Sequence, residues 1–144
     1  MKVLFVFLLG TAHVLAGPYH EHGHEGNYVV KSHDDLESYR NACHEKIRAT
    51  EDIWAKYKNI DDALVHCYLA CVLEKFGVYD REHGFDVHKL HMQLAGPGVQ
   101  VDHSDEMHQK IVQCIESHKE GDFCTKAYNA GNCFLNANFK LVPV

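Results

Sequence analysis

The chain has 144 residues, six cysteines and thirteen histidines, and its 20 acidic against 14 basic residues give a formal charge of −6. An acidic chain of this kind repels a polyanion, which argues against nucleic acid as a partner. The length suits one domain around one core.

At the N-terminus, Lys2 precedes an apolar run from Val3 to Leu9 and a small-residue exit at Val14-Leu15-Ala16. This pattern predicts a secretory signal peptide over residues 1–16. No later stretch approaches the roughly 18 uninterrupted apolar residues of a membrane span. Residues 17–33, with His20-Glu21-His22-Gly23-His24, show no buried face and read as a flexible lead-in; imidazoles there also suit copper or zinc.

The pattern turns helical at Asp34 and stays so to Ala49, with Asp34 or Asp35 at the start and Leu36, Arg40, Cys43 and Ile47 on one stripe. Thr50 opens a short second helix through Ile53, Trp54 and Tyr57, ending near Asn59. A third runs from Asp61 to Phe76 and stops at Gly77. Its face of Val65, Leu69, Val72, Leu73 and Phe76 opposes Cys67 and Cys71, so both sides need cover.

Residues 79–84 read as a polar turn, and strand signals are nearly absent. Asp86 caps a fourth helix through Val87, Leu90, Met92 and Leu94, closed by Gly96-Pro97-Gly98. Asp102 or Ser104 opens a fifth, with Met107, Ile111, Cys114, Ile115 and His118 on one stripe. Asp122 caps a sixth, whose stripe holds Cys124, Tyr128, Gly131, Leu135 and Phe139. The expected fold is therefore all-α, a six-helix domain over residues 34–144.

Six cysteines behind a signal peptide imply a disulfide framework with 15 formal pairings. Cys67 and Cys71 lie four apart on one helix, too far for a bond to each other. Excluding also Cys124 with Cys133, if they share a helix, leaves ten of those 15 arrangements open. The competing reading is a metal site from Cys67 and Cys71 with His66 or His44, which oxidation of the thiols would remove.

The gaps between consecutive cysteines are 23, 3, 42, 9 and 8 residues. This spacing resembles the six-cysteine insect odorant-binding proteins, in which the three- and eight-residue gaps are the strict ones. Phe76-Gly77-Val78-Tyr79-Asp80 and Gly84-Phe85-Asp86-Val87 look particularly like dipteran members. The likeness implies disulfides Cys43–Cys71, Cys67–Cys124 and Cys114–Cys133, one of the ten open arrangements, and a bundle around an apolar pocket. It also implies an extracellular carrier of odorants, pheromones or fatty-acid-like lipids. A membrane chemoreceptor and a second copy of the chain are the further partners to consider. The abundance of histidine departs from the pattern.

On that basis the expected pocket lining is Leu69, Val72, Leu73, Phe76, Leu90, Leu94, Ile111, Ile115 and Phe134. The apolar tail Phe139-Lys140-Leu141-Val142 is a candidate lid, or else a last turn packed on the core. An acidic ligand head would pair with Arg40, with Tyr68 or Tyr128 as hydroxyl donors. His118, helped by His88 and His91, would loosen the tail or pocket in mild acid. No G-x-S-x-G, H-E-x-x-H or phosphate-cradling loop argues for an enzyme, and no cofactor is expected. The rival reading is a secreted metal-binding or host-interaction protein using its histidines.

Overall fold

The computed structural model describes residues 28–47 and 63–142, and five helices lie within them: α1 His33–Ile47, α2 Ala63–Phe76, α3 Val87–Ala95, α4 Glu106–Ser117 and α5 Phe123–Asn136. The fold class is all-α, as expected. The signal peptide, the upstream part of the His-rich lead-in, the short helix expected near 50–59, and Pro143 and Val144 lie outside the described residues.

Ser32 starts α1, two or three residues earlier than the aspartates suggest. Its hydroxyl accepts from the Asp35 N–H, while the Asp35 carboxylate accepts from the Ser32 N–H at 2.8 Å. This reciprocal cap satisfies donors that a helix start leaves open. The lead-in expected over 17–33 therefore stops short, because residues 28–32 are held against the helices by side-chain and backbone hydrogen bonds.

Helix α2 is buried on most sides: Val65, Tyr68, Ala70, Cys71, Val72, Leu73 and Phe76 are all inside. It packs chiefly against α5 and α1, while α3 packs on α4 and α4 on α5. At its end Gly77 takes φ +80°, and the Gly77 and Val78 N–H groups return to the carbonyls of Glu74 and Leu73. That left-handed closure is available to glycine without a Cβ clash.

The segment expected to be only a turn pairs as a minimal antiparallel hairpin, β1 Tyr79–Asp80 with β2 Gly84–Phe85. Asp80 organises it by accepting from the Glu82 and His83 N–H groups. Asp86 and Asp122 cap α3 and α5 as expected, but α4 is capped by Asp105 rather than by Asp102 or Ser104. Asp102 instead turns the preceding loop by holding the Ser104 N–H and hydroxyl. His118 then lies just past α4 as its C-cap, not on its stripe.

Helix α5 ends at Asn136, before Phe139. Asn138 adopts φ +66°, and the Asn138 and Phe139 N–H groups bond back to Leu135 and Phe134. The tail is thereby turned back toward the core, and Val142 is buried. Three disulfides tie the frame: Cys43–Cys71 joins α1 to α2, Cys67–Cys124 joins α2 to α5, and Cys114–Cys133 joins α4 to α5. All six sulfurs are thus oxidised, so Cys67 and Cys71 supply no thiolate for a metal.

Candidate functional site

Apolar faces from four helices do not close completely, and they leave a cavity of about 260 Å³. Helix α2 supplies Tyr68, Leu69, Val72 and Leu73; α3 supplies Leu90 and Leu94; α1 supplies Leu36. Gly131, Phe134 and Leu135 come from α5, and Phe139, Lys140, Leu141 and Val142 complete the wall from the returning tail.

Gly131 sets how near α5 comes to α2. A Cβ placed there would sit 2.8 Å from the Leu69 Cδ2, inside contact distance. Because that atom ends a flexible side chain lining the cavity, added bulk at 131 would push Leu69 and shrink the cavity.

Tyr68, Leu69, Val72, Leu73, Leu90, Leu94, Phe134, Phe139, Leu141 and Val142, named from sequence, are brought together around this cavity. Six others lie elsewhere. Phe76 and Ile111 are fully buried in the core, with Phe76 edge-on to Tyr39 at 5.3 Å. Tyr128 is buried with its ring stacked on His66 at 4.2 Å. Ile115 and His118 border a separate polar groove beside the hairpin. Arg40 is half-buried on α1, one turn beyond Leu36, and is not on the cavity wall.

Sequence reasoning placed Leu36, Gly131 and Leu135 on apolar stripes without assigning them to the pocket, and passed over Lys140 within the tail. Among the described residues lining the cavity, Lys140 is the one with a charge, and it is exposed. The signal for it was available: a lysine inside an otherwise apolar terminus.

Beside the cavity, α3 carries a second arrangement. His91, 1% exposed, sets its Nδ1 3.0 Å from Nδ1 of His108, 5% exposed on α4. His88 Nδ1 lies 2.9 Å from His103 Nε2, and the His103 and His108 rings stack at 4.2 Å. Each short contact between ring nitrogens needs one donor and one acceptor, so two protonated rings would oppose each other. Asp105 Oδ2 stands 3.7 Å from His91 Nε2. Burial lowers the His91 pKa below 6.5; Asp105 opposes that shift, while His103 and His88 reinforce it. His88 and His91 were visible from helical spacing, but His103 and His108 arrive from the next loop and helix. Among the described residues, no group of three or more His, Cys, Asp or Glu side chains is arranged to hold a metal ion.

The chain is 60% identical to general odorant-binding protein 99b of Drosophila melanogaster, over 99% of this chain and 96% of that relative. General odorant-binding protein 99a of the same fly is 33% identical, over 78% of this chain and 80% of its own length. The crystal structure of Anopheles gambiae odorant-binding protein 22a matches with a TM-score of 0.49 and 26% identity, covering 70% of this chain and 94% of that one. The PBP/GOBP family model matches residues 26–137, and the chain belongs to that family.

Proposed function

We propose that this chain is an extracellular carrier whose cavity takes one small apolar or amphiphilic molecule, with its polar head at Lys140. The family is one of carriers of small hydrophobic ligands, not of enzymes. The observation that carries the finer reading is the cavity itself, apolar over nearly all its wall with one exposed cation. Its volume lies just below the roughly 300–1,000 Å³ of drug-sized sites, which suits a compact molecule or one end of a longer chain. The apolar leader at the N-terminus and the oxidised cysteines support work outside the cell.

Magnitudes decide which part of the ligand matters. Each buried CH₂ contributes about 0.8 kcal/mol. An ion pair at an exposed lysine contributes about 0.2–1 kcal/mol. Chain length should therefore dominate, and the head group should tune. In displacement of a fluorescent probe by linear acids and alcohols, affinity should rise about fourfold per CH₂ until the cavity is full. Lys140→Ala should weaken acids by up to about fivefold and leave alcohols unchanged. Arg40→Ala, off the wall, serves as the control. Affinity that does not change with chain length would sink the carrier reading, and equal losses for acid and alcohol would sink the role of Lys140.

Mild-acid release extends this reading. His91 on α3 is one residue from Leu90, a cavity residue, and it faces His108 of α4 together with Asp105. His88 and His103 stand alongside, and Asp102 contributes its charge from the loop. Protonating the cluster separates α3 from α4 and so disturbs the cavity wall. Affinity should fall between pH 7.5 and pH 5 in the wild type and fall less in His91→Asn, which keeps a hydrogen-bonding group without a titrating ring.

A further inference from the structure

Among the described residues, the buried polar side chains are His91, His108 and Gln93, and carrier function makes no evident use of Gln93. It sits on α3 between the cavity residues Leu90 and Leu94, with no exposed surface. Its Oε1 accepts from the Lys31 N–H at 2.8 Å and from the Tyr28 hydroxyl at 3.0 Å. Its Nε2 donates to the Lys31 carbonyl at 3.1 Å and to the Leu141 carbonyl at 2.7 Å.

Both N–H groups of the amide are thereby matched, and its oxygen accepts from Lys31 and shares the Tyr28 proton with the Phe76 carbonyl. The exchange with Lys31 imitates the two-bond pairing of adjacent strand residues. Tyr28 adds a second anchor, because its hydroxyl also lies 3.0 Å from the Phe76 carbonyl at the end of α2. Carrying one proton, that hydroxyl donates to Phe76 or to Gln93. The remaining Gln93 N–H holds Leu141, which lines the cavity next to Val142.

We propose that Gln93 is a positioning residue that couples the segment 28–31 to the tail 139–142, so that docking of the first sets how long a ligand stays behind the second. A buried amide tolerates an unpaired donor or acceptor poorly. When Lys31 leaves, Gln93 must turn to recover its bonds and lets go of Leu141. The coupling rests on the carrier reading only where it speaks of ligands; the link between the two segments stands apart from it.

The test uses the full chain, with two readouts. One is the release rate of N-phenyl-1-naphthylamine in stopped-flow displacement, and the other is deuterium uptake of the 139–142 amides without ligand. Lys31→Pro, outside the cavity lining, removes the N–H that Gln93 accepts together with the ammonium over the Tyr28 ring, and Gln93→Leu removes all four bonds. Both should raise tail uptake and speed release by about tenfold. Should Gln93→Leu not fold, Lys31→Pro, which leaves α3 untouched, carries the test alone. If Lys31→Pro loosens residues 28–31 while tail uptake and release stay at wild-type values, the segments are independent and the proposal is wrong. Failure of the folded wild type to bind the probe overturns the carrier reading, with tail uptake still deciding the coupling.

Discussion

A nearly inaccessible imidazole such as His91 has a thermodynamic signature that can be measured without any ligand. Its folded-state pKa is lowered by burial, so as the pH falls the unfolded chain takes up this proton first. The stability it protects is complete above about 6.5 and is lost as the pH drops through the lower folded value. Thermal denaturation from pH 7.5 to pH 5 should show a falling Tm for the wild type and a flatter profile for His91→Asn. Parallel profiles would remove His91 from the account. Helical spacing made His88 and His91 legible as a pair, but it joins residues only within one helix, and their partners come from elsewhere. The cationic residue at the pocket was misplaced for a related reason. Arg40 shares a stripe with Leu36, whereas Lys140 reaches the wall only because the chain reverses at Asn138.

Helix α3 is short, nine residues, and both its start and its stop depend on identifiable contacts. The Asp86 carboxylate accepts from the Lys89 N–H at 3.0 Å, and Gly96 closes the other end at φ +98°. Asp86→Ala should cost about 1 kcal/mol and lower Tm by a few degrees, whereas Asp86→Asn retains a side-chain oxygen for the cap and should be close to neutral. Equal losses in the two variants would show that the cap bond is not what matters. Caps at Asp86 and Asp122 were readable because each stands alone before an apolar stripe. Asp105 was not, since Asp102, Ser104 and Asp105 compete within four residues and only the loop geometry chooses. The hairpin escaped notice because two-residue strands show no alternation. The reverse error occurred at α5, where Phe139 continues the spacing of Leu135 and hides a stop that the left-handed preference of Asn138 announces. Tyr79 anchors the hairpin to α5 through its hydroxyl, which donates to the Phe123 carbonyl at 2.6 Å. Burial, with the Asp122 carboxylate adding to it, pushes its pKa up to about 12.

Over the whole molecule, the helices and the existence of a disulfide frame follow from periodicity and cysteine number, but the pairing does not. Helix geometry left ten arrangements, and the resemblance selected among them. Nor do apolar faces tell a hollow centre from a filled one; the same Leu and Val pattern packs solid in other folds. The disulfides should contribute unequally. Cys67–Cys124 spans 57 residues of sequence and Cys114–Cys133 spans 19, so loop-closure entropy favours the former by about 1 kcal/mol. Denaturant titration of the paired Cys→Ala variants should rank them in that order, and the reverse order would show that local packing outweighs chain entropy.

The placement of those bonds divides the container into two materials. Helices α1, α2, α4 and α5 are tied through sulfur, but α3 and the tail contain no cysteine. One side of the cavity is therefore cross-linked covalently. The other side is held by hydrogen bonds and side-chain contacts that break and re-form. Admission and escape of a guest should follow the second side, and hardening this container would mean adding a cross-link there, not strengthening the bonds it already has.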